Sequence, residues 1–135
     1  MSEKSTRVSG WKCRTYVQNK QPFHNNGSNH RHPNGSTLWG EQRGDMYTVY
    51  SYGYHWPLYA YWKGIWFSNK DKYGPTTSKH ASQTHPLTAS VPLGQSDMAL
   101  IAAGHVRPEH LVLAAKLKLL PDDLTVDATI ARIAA

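Results

Sequence analysis

Residues 46–68, MYTVYSYGYHWPLYAYWKGIWFS, decide the fold. Three short runs rich in β-branched and aromatic residues, Met46 to Tyr52, Leu58 to Trp62 and Ile65 to Ser68, suit the pleated surface of a sheet. Gly53 supplies a turn before Pro57 opens the second run, and Lys63-Gly64 has the two-residue spacing of a tight hairpin. An antiparallel meander is predicted. Because successive side chains of a strand face opposite sides, Met46, Tyr50 and Tyr52 oppose Tyr47 and Val49; Leu58 and Trp62 oppose Tyr59 and Tyr61; Ile65 and Phe67 oppose Trp66. Both faces of this sheet are therefore apolar. Eleven of the twenty-seven residues from Tyr47 to Tyr73 are aromatic, and no aromatic residue follows Tyr73.

Upstream, Trp11 to Val17 alternates and predicts a further short strand, while residues 1–10 are polar and loose. Asn25 to Gly40, NNGSNHRHPNGSTLWG, is crowded with turn-forming residues and predicts an extended loop. Downstream, Asn69 to Pro75 reads as a turn, and Thr76 to His80 fits either a strand or a short helix. Thr88 to Gly94 reads as a linker into an Ala- and Leu-rich segment. There the pattern predicts three helices: Asp97 to Ala103, Pro108 to about Leu120, and a last one capped by Thr125 and running through Ala134. The expected class is α+β. A small twisted antiparallel sheet is followed by a three-helix C-terminal segment, with a basic aromatic module over 1–94 and a helical part over 95–135, either packed on the sheet or forming a small separate bundle. Such helices can cover one sheet face but hardly both, which leaves the second face to the Asn25–Gly40 loop, a second copy of the chain in a homodimer, or a ligand.

A chain of 135 residues is long enough to bury one core without staples. The single cysteine, Cys13, cannot form an internal disulfide and suits a reducing compartment. Neither a secretory leader nor an apolar run of membrane-spanning length is present, so no membrane association and a cytoplasmic location are expected. Charge is uneven. Residues 1–94 hold eleven Lys or Arg against four acids, a net of +7, whereas residues 95–135 hold four against five, a net of −1. Six of the eight histidines lie in the first part and add to its positive potential at low pH.

The strings Tyr47-x-Val49-Tyr50-Ser51-Tyr52-Gly53 and Thr76-Thr77-Ser78-Lys79-His80, with Pro57-Leu58-Tyr59, Trp66, Asn69 and Tyr73 between them, resemble a small uncharacterised domain of phage and other mobile-element proteins. The likeness spans about Asp45 to His85, and the family brings no assigned activity, so no catalytic residue carries over. What it implies is context: a phage or mobile-element accessory protein in a bacterial host cytoplasm, acting in counter-defence.

No catalytic signature is present, and a non-enzymatic binding protein without a cofactor is the leading expectation. Lys63, Lys70, Lys72 and Lys79 interleave with Trp62, Trp66 and Tyr73, as in surfaces that hold single strands by phosphate contacts and base stacking. Lys63, Trp66, Lys70, Tyr73, Lys79 and His80 are the candidate ligand-binding residues, for nucleic acid or a nucleotide-like anion. Backbone amides of Ser78, Lys79 and His80 could hold a phosphate, although the spacing of a nucleotide loop is missing. A second reading is a protein-binding inhibitor of a host bacterial complex, with the aromatic face as its contact. A third is a metal-dependent nuclease using His24, His30 and His32, for which the acidic ligands and helix are lacking nearby. A DNA-reading helix-turn-helix in the tail is disfavoured by its charge.

Overall fold

The computed structural model describes residues 5–25, 37–71 and 74–120. Along the chain these form β1 (Thr6–Arg7), a 3₁₀ turn (Gly10–Lys12), α1 (Cys13–Gln18), β2 (Phe23–His24), β3 (Leu38–Arg43), β4 (Met46–Ser51), β5 (Pro57–Trp62), β6 (Ile65–Asn69), α2 (Pro75–Gln83), β7 (Val91–Leu93), α3 (Gln95–Ala102) and α4 (Pro108–Lys116). The fold is α+β, and the predicted meander is its centre: β4, β5 and β6 pair antiparallel, with Lys63 and Gly64 at φ 46° and 87° in the hairpin between the last two. Two consecutive positive φ angles are what a type I′ turn requires, so Lys63 is strained where an Asn would sit more easily.

The sheet is wider than predicted and is not purely antiparallel. Its order is β1 through β7 in sequence, with antiparallel pairing from β2 to β6 and parallel pairing of β1 with β2 and of β6 with β7. Leu38 to Gly40, assigned from sequence to a loop, begin β3 and are buried. Asn25 anchors their entry: its Oδ1 accepts the Thr37 and Leu38 amides at 2.9 and 3.0 Å. The presumed linker contains β7, where Val91 and Leu93 are buried and Pro92 is exposed on the edge, a position that tolerates the missing amide. Thr76 to His80 belong to helix α2, the crossover between the parallel strands β6 and β7. Helix α4 ends at Lys116, short of Leu120, and the helix expected over Thr125 to Ala134 lies outside the described residues.

Two cores lie on the two faces. On one, Met46, Ala60, Ile65, Phe67, Val91 and Leu93 pack with Met98 and Ile101 of α3 and Leu111 and Ala114 of α4. Buried His110 fastens these helices together, accepting the Arg107 amide at Nδ1 (3.0 Å) and meeting Asp97 through Nε2 (3.3 Å). On the other, Tyr47, Val49, Tyr59 and Trp66 pack with Val8, Cys13, Val17 and Phe23, and Ala81 of α2 joins at the margin. Trp11 to Val17 is therefore not a strand. It is a 3₁₀ turn leading into a helix that buries Cys13 and Val17, an i, i+4 pair on one helical face, and exposes Thr15 between them. That helix, with α2, is the missing cover, so the second face is not open to a second copy or a ligand. Burial pushes the Cys13 thiol up to about 11, as suits a core thiol.

A bulge explains one further difference. The β4–β5 register shifts between Val49 and Tyr50, which pair with Tyr59 and Pro57, so Leu58 is the extra residue. Leu58 accordingly packs with Tyr59 and not against it.

The second core is tightest at Gly40. A Cβ there would overlap the Tyr47 hydroxyl and stand 2.6 Å from Cε1 of Phe23. Both rings are fully buried, and the Tyr47 hydroxyl donates to the Gln21 carbonyl at 2.7 Å. Gly40→Ala should lower stability in urea unfolding by about 1–3 kcal/mol through overpacking. Gly44→Ala, at φ +54° with open space around it, should lose about 1 kcal/mol from backbone strain alone.

Candidate functional site

Where β6 ends and α2 begins, the chain leaves a groove of about 270 Å³ lined by Leu58, Asn69, Lys70, Asp71, Thr77, Ser78, Ala81 and Ser82. Its base follows from the bulge, which turns Leu58 toward α2, and its wall is the Ser78–Ser82 face of that helix, an i, i+4 pair. The other end is held by a polar knot. Asn69 Nδ2 donates to the Pro57 carbonyl (3.0 Å) and to Gln95 Oε1 (2.6 Å), and its Oδ1 accepts the Asp71 amide (2.9 Å). Asp71 Oδ2 in turn accepts the Gln95 amide at 2.7 Å, and Gln95 Nε2 donates to the His55 carbonyl. Asp71 thus caps α3 from a distance, where a carboxylate is favoured by the helix dipole and Gly94 offers no side chain of its own. Among the lining residues the cation is Lys70, exposed on the rim, and the Asp71 carboxylate, held by the Gln95 amide, shares the groove; Lys79 follows Ser78 on α2 and is exposed.

Beneath α2 lies a buried cluster. Ser51 Oγ is 2.9 Å from His80 Nδ1 and 3.4 Å from Thr77 Oγ1, and the Tyr52 ring lies on the imidazole with centroids 5.6 Å apart. Removal from water, followed by the charge of Lys79, lowers the His80 pKa to about 4, so the ring is neutral at physiological pH. A serine beside a neutral histidine invites comparison with an activated nucleophile, but Ser51 is only 1% exposed and cannot meet a substrate. The cluster supports α2 from below.

Five of the six candidate binding residues are among those described, and the fold separates them. Lys70 lines the groove, whereas Lys79 is exposed on α2 beside Ser78 and is not among the lining residues. Lys63 is at the opposite end of β6, roughly 20 Å away by strand rise, with its ammonium 5.0 Å from the Trp62 ring. Trp66 is 7% exposed, with Tyr47 and Tyr61 against its ring at 6.4 and 5.0 Å, and is a core residue rather than a stacking platform. His80 is buried and uncharged, and Tyr73 lies outside the described residues. Of the candidate metal ligands, His30 and His32 also lie outside them, while His24 is in β2 with its Nδ1 2.7 Å from Ser5 Oγ. Among the described residues no group of three His, Cys, Asp or Glu side chains could hold a metal ion, and no helix is long and apolar enough to cross a membrane.

A larger hollow of about 550 Å³, lined by Trp62, Leu100, Gly104, His105, Val106, Arg107 and Pro108, is mostly apolar and lacks the hydroxyls of the groove. Sequence reasoning missed Asn69, Asp71 and Ser82 because their roles depend on contacts with α3 and α1 that no local pattern encodes. Comparison with protein-family models, with curated proteins and with solved structures finds no match to this chain.

The buried imidazole makes stability depend on pH. Its folded pKa lies below the ordinary 6.5, so the unfolded chain takes up the proton first; the stabilisation is complete above about pH 6.5 and is lost as pH falls toward 4. Urea unfolding should lose about 1–2 kcal/mol from this group over that range, after allowance for solvent screening. His24, whose pKa is lowered by burial and by Arg7, adds in the same direction. His80→Asn should reduce the dependence, and an unchanged pH profile would assign it elsewhere.

Proposed function

We propose that this is a non-enzymatic binding protein of phage or mobile-element type that holds a phosphate of nucleic acid or of a nucleotide in the β6–α2 groove, with counter-defence as its setting. The observation that carries the reading is the groove itself: Lys70 on the rim and the Ser78, Ser82 and Thr77 side chains along one wall, with the Asp71 carboxylate held by the Gln95 amide and Lys79 exposed next to Ser78 on α2. Ammonium groups supply attraction over a Debye length of about 10 Å, and hydroxyls donate hydrogen bonds to phosphate oxygens once contact is made. The chain's net charge of +6 adds a favourable long-range field.

The inhibitor reading has to change its surface. Tyr47, Tyr59, Trp66 and Phe67 are buried in the two cores, and a protein partner would instead meet exposed residues such as Trp11, Tyr54 or Leu87.

Binding of a labelled oligonucleotide, followed by anisotropy across a salt series, tests the phosphate reading. Affinity should fall steeply with salt, and a Lys70→Glu/Lys79→Glu double variant should bind more weakly and flatten the logarithmic salt slope by about 1 to 2. Salt-independent binding, or an unaltered slope in the double variant, would falsify it.

A further inference from the structure

The most exposed large aromatic among the described residues is not in the aromatic run. Trp11 is 59% exposed, against 47% for Tyr54 and 38% for Tyr52. It sits in the 3₁₀ turn before α1, and burial of Cys13 and Val17 fixes the helix that carries it. The Arg14 guanidinium carbon lies 5.0 Å from the centroid of its ring, and Arg14 Nη2 donates to the Ser82 carbonyl at 2.6 Å. Ser82 lines the β6–α2 groove. Ring, cation and groove therefore form one continuous strip across the N-terminal turn and α2.

We infer that Trp11 is a stacking platform for an unpaired base of single-stranded nucleic acid whose adjoining phosphates enter the groove at Lys70 and Ser78. This rests on the reading of the groove as a phosphate site. Arg14 occupies one face of the indole, and an exposure above one half leaves the other free. A base on that face completes an Arg–Trp–base stack, with the guanidinium adding positive charge beside the strand. Only an unstacked base can lie there, because duplex bases already have partners on both faces. Tyr54 also carries a guanidinium, Arg43 at 4.9 Å from its ring centroid, but neither residue adjoins the groove lining. The Tyr54 hydroxyl donates to Glu41 at 3.3 Å, and Arg43 is itself engaged by that carboxylate at 3.2 Å.

Anisotropy with three probes tests the inference in the full chain: oligothymidylate, an abasic strand of equal length, and a duplex. Trp11→Ala should weaken oligothymidylate binding by roughly 5- to 150-fold, the range for loss of one base stack, without altering the salt slope. Trp11→Phe should retain most of the affinity. The abasic strand should bind wild type and Trp11→Ala equally. Circular dichroism and urea unfolding of Trp11→Ala should match wild type, since the ring is outside both cores. If the Lys70→Glu/Lys79→Glu variant loses affinity while Trp11→Ala does not, or if the abasic strand or the duplex binds wild type as well as oligothymidylate does, the stacking role is overturned and the phosphate groove stands. If wild type binds none of the three probes at low salt, the groove reading fails and the stacking role fails with it.

Discussion

Strand β4 has six residues and all of them are buried, so the sheet must exclude water on both sides. Alternation sends Met46 to one face and Tyr47 and Val49 to the other. Neither face is polar enough to be left wet at a tolerable free-energy cost; each buried large side chain contributes about 1.5–3 kcal/mol. The two covers come from different parts of the chain. Helices α3 and α4 follow the sheet and pack on the Met46 side, while α1 precedes it and meets Tyr47, Val49 and Trp66. Placement of α2 follows from the same constraint, because the crossover from β6 to the parallel strand β7 has to pass over one face, and Ala81 reaches the core there.

Much of this was legible in the residues. The meander, the Lys63–Gly64 hairpin and the approximate places of helices α3 and α4 follow local rules of turn chemistry, β propensity and proline in the first helical turn, although α3 takes its cap from distant Asp71 and α4 stops at Lys116. Helix α1 was not legible. Trp11, Cys13, Thr15 and Val17 alternate as a strand would, and six residues with β-branched and aromatic members carry little helical propensity. What makes them helical is the tertiary contact of Cys13 and Val17 with the sheet. With α1 read as a strand, the second face falls to the Asn25–Gly40 loop, a second copy or a ligand, whereas α1 itself covers it. Strands β3 and β7 were hidden for a related reason: Leu38 to Gly40 follow a turn-rich segment, and Val91 to Leu93 contain a proline.

The candidate site divides along the same line. Lys70, Ser78 and Lys79 stand out as basic and hydroxyl residues flanking a turn, and chain folding brings Lys70 and Ser78 to one groove, with Lys79 exposed next to it in the helix. Lys63 is close in sequence but distant in space, since a strand of five residues separates its two ends. Lysines interleaved with rings point to Trp66 as a platform, whereas aromatic density there is what a two-sided core requires, and the most exposed indole is at Trp11, outside the aromatic run. Composition cannot distinguish a ring that packs from a ring that waits.

The position of α1 ahead of the sheet it covers sets an order of events during synthesis. Cys13 and Val17 are synthesised before Tyr47, Val49, Tyr59 and Trp66, so their full set of sheet partners is complete only after roughly fifty further residues have been made. Helices α3 and α4 have no such delay, because β4, β5 and β6 precede them and rest on local hairpin contacts. The Met46 face can close as soon as its helices emerge. Closure of the Tyr47 face requires a long loop to be drawn in, the slow class of contact in folding.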